Sequence, residues 1–223
     1  MTDGETRPNI LVIICHDLGT RLGCYCWPSV PSPNLDALAD DGIRFTRNFA
    51  TATFCSPSRG AIWTGKHPHV NGLMGLVNLD WNLPPENRTL AQMLGEAGYE
   101  TSLFGLQHEV KDPAQLGFHH TDTTQSRCRE VAPKVVDFIR RRRPDREQPF
   151  YCRVGFSEVH RPYEQYEPLG EPEIPPYLDD TPGARKDFAL FNAAIQEMDA
   201  AAGRILEALD EKRLADNTVV VFT

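Results

Sequence analysis

The chain reads as an α/β protein, a large and mostly parallel sheet held between layers of helices. Residues 9–15 (Asn-Ile-Leu-Val-Ile-Ile-Cys) form a continuous apolar, β-branched run, the pattern of a strand buried on both faces. Further runs of the same kind return at residues 101–105, 149–156 and 217–223. Between them lie segments whose apolar residues recur every three or four positions, as on one face of a helix. A chain of 223 residues is long enough to bury a sizeable core as one domain or two small ones.

The first strand runs directly into His16-Asp17-Leu18-Gly19. Ligands of open α/β sheets gather at the carboxyl ends of strands, so Asp17 is placed to hold a metal, although a lone Asp there also suits a turn. Ser32 and Pro33 open a short helix with Leu35, Leu38 and Ala39 on one face and Gly42 at its end. Residues 43–50 read as a strand leading into residues 54–65, Phe-Cys-Ser-Pro-Ser-Arg-Gly-Ala-Ile-Trp-Thr-Gly. Cys55 lies just ahead of a helix start, with Pro57 in the first turn. Free backbone N–H groups and the positive helix end then favour an anion. Arg59 returns to the same face one turn later, and its planar fork of donors suits a tetrahedral oxyanion. A cysteine at such a place is otherwise a small buried apolar residue.

Residues 66–72 read as a loop in which His69 is a candidate to touch substrate. Residues 89–97 read as a helix capped by Thr89, with Leu90, Met93 and Leu94 inward and Gly98 as its stop. The strand at 101–105 ends in Leu106-Gln107-His108-Glu109. Residues 130–143 form a helix with Val131, Val135, Phe138 and Ile139 on one stripe; its four terminal arginines read as a solvated end, stopped by Pro144. The strand at 149–156 runs into Ser-Glu-Val-His160-Arg161-Pro. A long Pro-rich loop covers 164–182, and residues 184–212 make the longest helix. Asp199 falls close to its apolar stripe with no evident partner.

The Cys-x-Pro-Ser-Arg string with its trailing Thr-Gly resembles the sulfatase signature, and the resemblance extends over residues 7–223. It implies an alkaline-phosphatase-like fold and hydrolysis of a sulfate ester or sulfamate, with an N-sulfated or O-sulfated sugar as the expected substrate. In that family the cysteine is oxidised to formylglycine by a maturation enzyme. One hydroxyl of its hydrate attacks sulfur; the other helps expel sulfate. The resemblance makes Cys55 the nucleophile, Arg59 its stabiliser, and His108 and His160 the groups that bind the sulfo group and assist departure. It puts a divalent cation, calcium by family habit, on Asp17 and Cys55. Sulfatases usually carry two aspartates at the end of the first strand. Here the first is His16, which either stands behind the metal or alters the metal preference. The lysine usual before the histidine is Leu106, leaving Lys66 or Arg161 to compensate. The His16-Asp17 and His160-Arg161 pairs resemble the sulfamidase branch.

Sulfatases continue beyond the last strand with further metal ligands and a smaller second domain. The expectation is therefore that residues 1–223 are the N-terminal part of a catalytic domain, inactive alone. The net charge of −8 argues against a general nucleic-acid or acidic-membrane binder. With no signal-peptide pattern, the six cysteines are expected reduced and the chain cytoplasmic. Two rivals stand beside the sulfatase reading: a phosphonate or phosphodiester hydrolase on the same scaffold, and a non-catalytic anion-binding homologue.

Overall fold

The computed structural model describes residues 7–143 and 148–223. Five parallel strands form one sheet in the order β3-β2-β4-β1-β5. They are β1 (Asn9–Ile14), β2 (Glu100–Gly105), β3 (His120–Asp122), β4 (Phe150–Gly155) and β5 (Thr218–Phe222). The helices are α1 (Pro33–Asp40), α2 (Cys55–Thr64), α3 (Pro68–Asn71), α4 (Leu90–Glu96), α5 (Cys128–Arg140) and α6 (Pro182–Glu211).

The β-branched run of β1 sits between β4 and β5 because both its faces are apolar. Leu11 and Ile13 join Val131, Val135 and Ile139 of α5 and Ile195, Met198 and Ile205 of α6 in the main core. Val12 and Ile14 point the other way, onto Trp63 of α2 and Ala91 of α4. The period-two alternation of a strand thus divides one sequence run between two helix layers.

Several local expectations give way. Residues 43–50 are not a strand: no partner strand lies beside them among the described residues, and Ile43, Phe45 and Phe49 are exposed. Met93 faces out of α4, and Ala91 is its buried residue. The arginine tail of α5 is only partly solvated. Arg142 is buried, donates to both carboxylate oxygens of Glu100 at 2.7 Å, and stacks on Phe138. Pro144 lies outside the described residues.

Asp199 finds its partner across the fold. It accepts from the backbone N–H of Asn34 and Leu35 at 3.2 and 2.8 Å, and from Asn34 Nδ2 at 2.7 Å. It therefore caps α1, a task Ser32 does not perform with its own side chain. All six cysteines are free thiols. No helix among the described residues is long and apolar enough to cross a membrane.

Candidate active site

Three loops leave the carboxyl ends of β1, β2 and β4 and are tied together by backbone hydrogen bonds. His16 N donates to Glu158 O and Val159 N donates to His16 O, both at 2.7 Å; Leu106 N donates to Gly155 O at 2.8 Å. Paired glycines permit this approach, since a Cβ on Gly155 would lie 2.0 Å from Leu106 O.

α2 delivers its first residue, Cys55, to this edge. Cys55 Sγ lies 3.5 Å from His108 Nδ1. His16 is buried between histidines, its ring centroid 5.9 Å from that of His108 and 4.7 Å from that of His160. Asp17, at a φ of 56° that Asp tolerates, turns its carboxylate to His16 Nδ1 at 2.9 Å. Its other oxygen is 3.8 Å from His160 Nε2. Five residues singled out in the sequence thus meet in one cluster. Arg59 is buried beside it: Nη2 donates to Cys15 O at 3.0 Å, and Nη1 has no hydrogen-bond partner among the described residues.

Burial disfavours the Cys55 thiolate, but contacts with His108 and His16 outweigh it and pull the thiol down to about 5. Burial likewise opposes charge on His16, yet its hydrogen bonds to Asp17 and Cys55 raise its pKa. The His16 hydrogen bond, acting against partial burial, lowers that of Asp17. Arg59 is lowered by burial.

A cavity of about 240 Å³ opens beside the cluster, lined by His16, Leu106, His108, Ser157 and His160 together with two arginines, Arg127 and Arg161. Neither Lys66 nor His69 lines it. Lys66 Nζ donates to Asn87 Oδ1 at 3.1 Å, and exposed His69 stacks on His67. Arg161 is engaged by both carboxylate oxygens of Asp187. Arg127, which sequence reasoning missed, stands 3.7 Å from the buried carboxylate of Glu158. Ser157 Oγ is buried without a partner among the described residues. A basic residue just before the first turn of a helix whose N-terminus faces the sheet edge was the available signal for Arg127.

Calcium takes six to eight oxygen ligands. The cluster offers one carboxylate against three imidazoles and a thiol. The described residues do not by themselves fit calcium.

Fold and cluster together define an α/β protein whose reactive thiol, buried guanidinium and histidines converge at the carboxyl edge of a parallel sheet. The sulfatase family model matches residues 8–223, and the chain belongs to that family. It is 26% identical to human N-sulphoglucosamine sulphohydrolase over 98% of this chain and 50% of that enzyme, so it spans half the relative's length. Its fold matches the Bacteroides fragilis protein yidJ with a TM-score of 0.81 and 25% identity, over 100% of this chain and 62% of that one. A TM-score of 0.79 relates it to BT4656 bound to its substrate D-glucosamine-2-N,6-O-disulfate, at 18% identity over 97% of this chain and 65% of that one.

Proposed function

We propose that the protein containing this chain hydrolyses a sulfate ester or sulfamate on a sulfated sugar, with Cys55 converted to formylglycine. The observation that carries the reading is the placing of Cys55 Sγ 3.5 Å from His108, beside an Arg59 whose buried Nη1 is unpartnered. A buried, unpaired guanidinium N–H is costly and is satisfied by an anion.

The hydrated aldehyde attacks sulfur through one hydroxyl, and the sugar oxygen or nitrogen leaves with a proton. Loss of the proton from the second hydroxyl re-forms the aldehyde and expels sulfate; water restores the hydrate. A thiol has no second hydroxyl and would stop at the first stage. His108 and His160 are imidazoles at the cavity, placed to carry the proton transfers. Arg127 supplies the cation that Leu106 does not. The sugar is inferred from the N-sulphoglucosamine relative, which matches almost the whole chain.

The test is the mass of the tryptic peptide spanning residues 48–59 after co-expression with a formylglycine-generating enzyme. The expected peptide has exchanged its thiol for an aldehyde oxygen, and the matured protein releases sulfate from an N-sulfated glucosamine. An intact thiol under conditions that convert a control sulfatase overturns the mechanism.

A further inference from the structure

We propose that, while Cys55 is still a thiol, His16, Cys55 and His108 together bind a divalent transition ion of the zinc class, with Asp17 orienting His16. One ligand atom from each of the three residues falls within 4.8 Å of the others. A tetrahedral zinc ion bound at its usual lengths, about 2.3 Å to sulfur and about 2.0–2.1 Å to nitrogen, holds such atoms roughly 3.5 Å apart. Cys55 Sγ and His108 Nδ1 are already 3.5 Å apart.

The donor chemistry agrees with the spacing. Thiolate and imidazole suit zinc and cobalt, whereas calcium and magnesium seek oxygen. Asp17 Oδ1 contacts His16 Nδ1 at 2.9 Å, which leaves Nε2 as the coordinating nitrogen. A carboxylate behind a ligating histidine fixes ring and tautomer in this way. Two negative charges, the Cys55 thiolate and Asp17, face the two positive charges of the ion. His160 Nε2 lies 3.8 Å from the other Asp17 oxygen, so it borders the carboxylate that orients His16, and the fourth position is left to water. Binding releases whatever protons the thiol and imidazoles carry; no electron is transferred. The ion occupies the sulfur that conversion to formylglycine removes, so the site belongs to the unconverted protein alone and rests on no assumption about sulfatase activity.

The experiment is a cobalt(II) titration of the full chain made without a maturation enzyme, its thiol confirmed by mass. The expected result is a thiolate-to-cobalt charge-transfer absorption that saturates at one ion per chain. Zinc should abolish it, and millimolar calcium should leave it in place. Cys55→Ser should remove the band, Asp17→Asn should weaken binding about 10–100-fold, and Cys24→Ser with Cys26→Ser should keep it. Circular dichroism checks that each variant is folded. In parallel, zinc should slow alkylation of Cys55 in the unsubstituted chain, a readout that needs no variant. A band that survives Cys55→Ser, or no band and no protection in the thiol protein, overturns the proposal.

Discussion

Arg153 Nη2 donates to Glu109 Oε1 at 2.6 Å, and neither side chain reaches solvent. The same oxygen accepts from Trp63 Nε1 at 3.0 Å, and the Arg153 guanidinium lies over the Trp63 ring. β4, α2 and the loop that carries His108 are therefore locked by one buried carboxylate. Glu109→Ala leaves a buried, unpaired guanidinium, which costs roughly 3–5 kcal/mol. For a chain of this size that corresponds to a melting temperature lower by about 10 °C. Thermal denaturation checks the size of the loss; Glu109→Leu combined with Arg153→Met should recover much of it.

Asp199→Ala should destabilise the chain by roughly 1–3 kcal/mol, because two backbone N–H groups at the start of α1 lose their acceptor. Urea denaturation measures this directly. An unchanged midpoint would show that water replaces the carboxylate without cost.

The unconverted Cys55 thiol should stay reactive well into acid. Its pKa is lowered from 9.0 to about 5, so thiolate is present above pH 5 and is lost as pH falls through that value. Stability that the folded state gains from this thiolate follows the same direction: it is held at high pH and lost on acidification towards pH 5. Alkylation rates of Cys55 against pH, read by peptide mass, should show a midpoint near 5. A midpoint near 9 would mean that the two histidines do not stabilise the thiolate.

Arg127→Ala should raise KM for a sulfated substrate by about 10–100-fold, the worth of roughly 1.5–3 kcal/mol for a hydrogen bond to a charged group. Arg161→Ala should do less, since Asp187 already engages both ends of that guanidinium. Steady-state kinetics on the matured full-length protein separates the two.

Much of this arrangement was legible in the sequence. The strands β1, β2, β4 and β5 announce themselves by apolar runs, although β5 lies at the sheet edge with Val219 and Val221 exposed rather than buried on both faces. The residues that follow β1, β2 and β4 supply the cluster with Cys55. β3 does not, because His120–Asp122 is three residues long, polar and at the sheet edge. Residues 43–50 carry apolar residues without a partner strand, so local pattern misleads there. Asp199 and Arg142 resist reading for another reason: their partners are 165 and 42 residues away, and only tertiary packing brings them together. Arg127 carried a local signal, its place just ahead of α5, but only the loops that build the cavity show that it faces the site.

The place of β1 in the sheet has a consequence for biosynthesis. Asn9 pairs with Thr218, 209 residues later, and its other neighbour strand begins at Phe150. At about 5–20 residues per second, the ribosome takes on the order of ten to forty seconds to deliver the last partner. Throughout that interval the most apolar strand of the nascent chain lacks a neighbour and is exposed to aggregation, which makes chaperone protection valuable. Cys55 emerges early in the same interval, so under the proposed function a maturation enzyme acting on an extended chain would meet its target before the sheet closes over it.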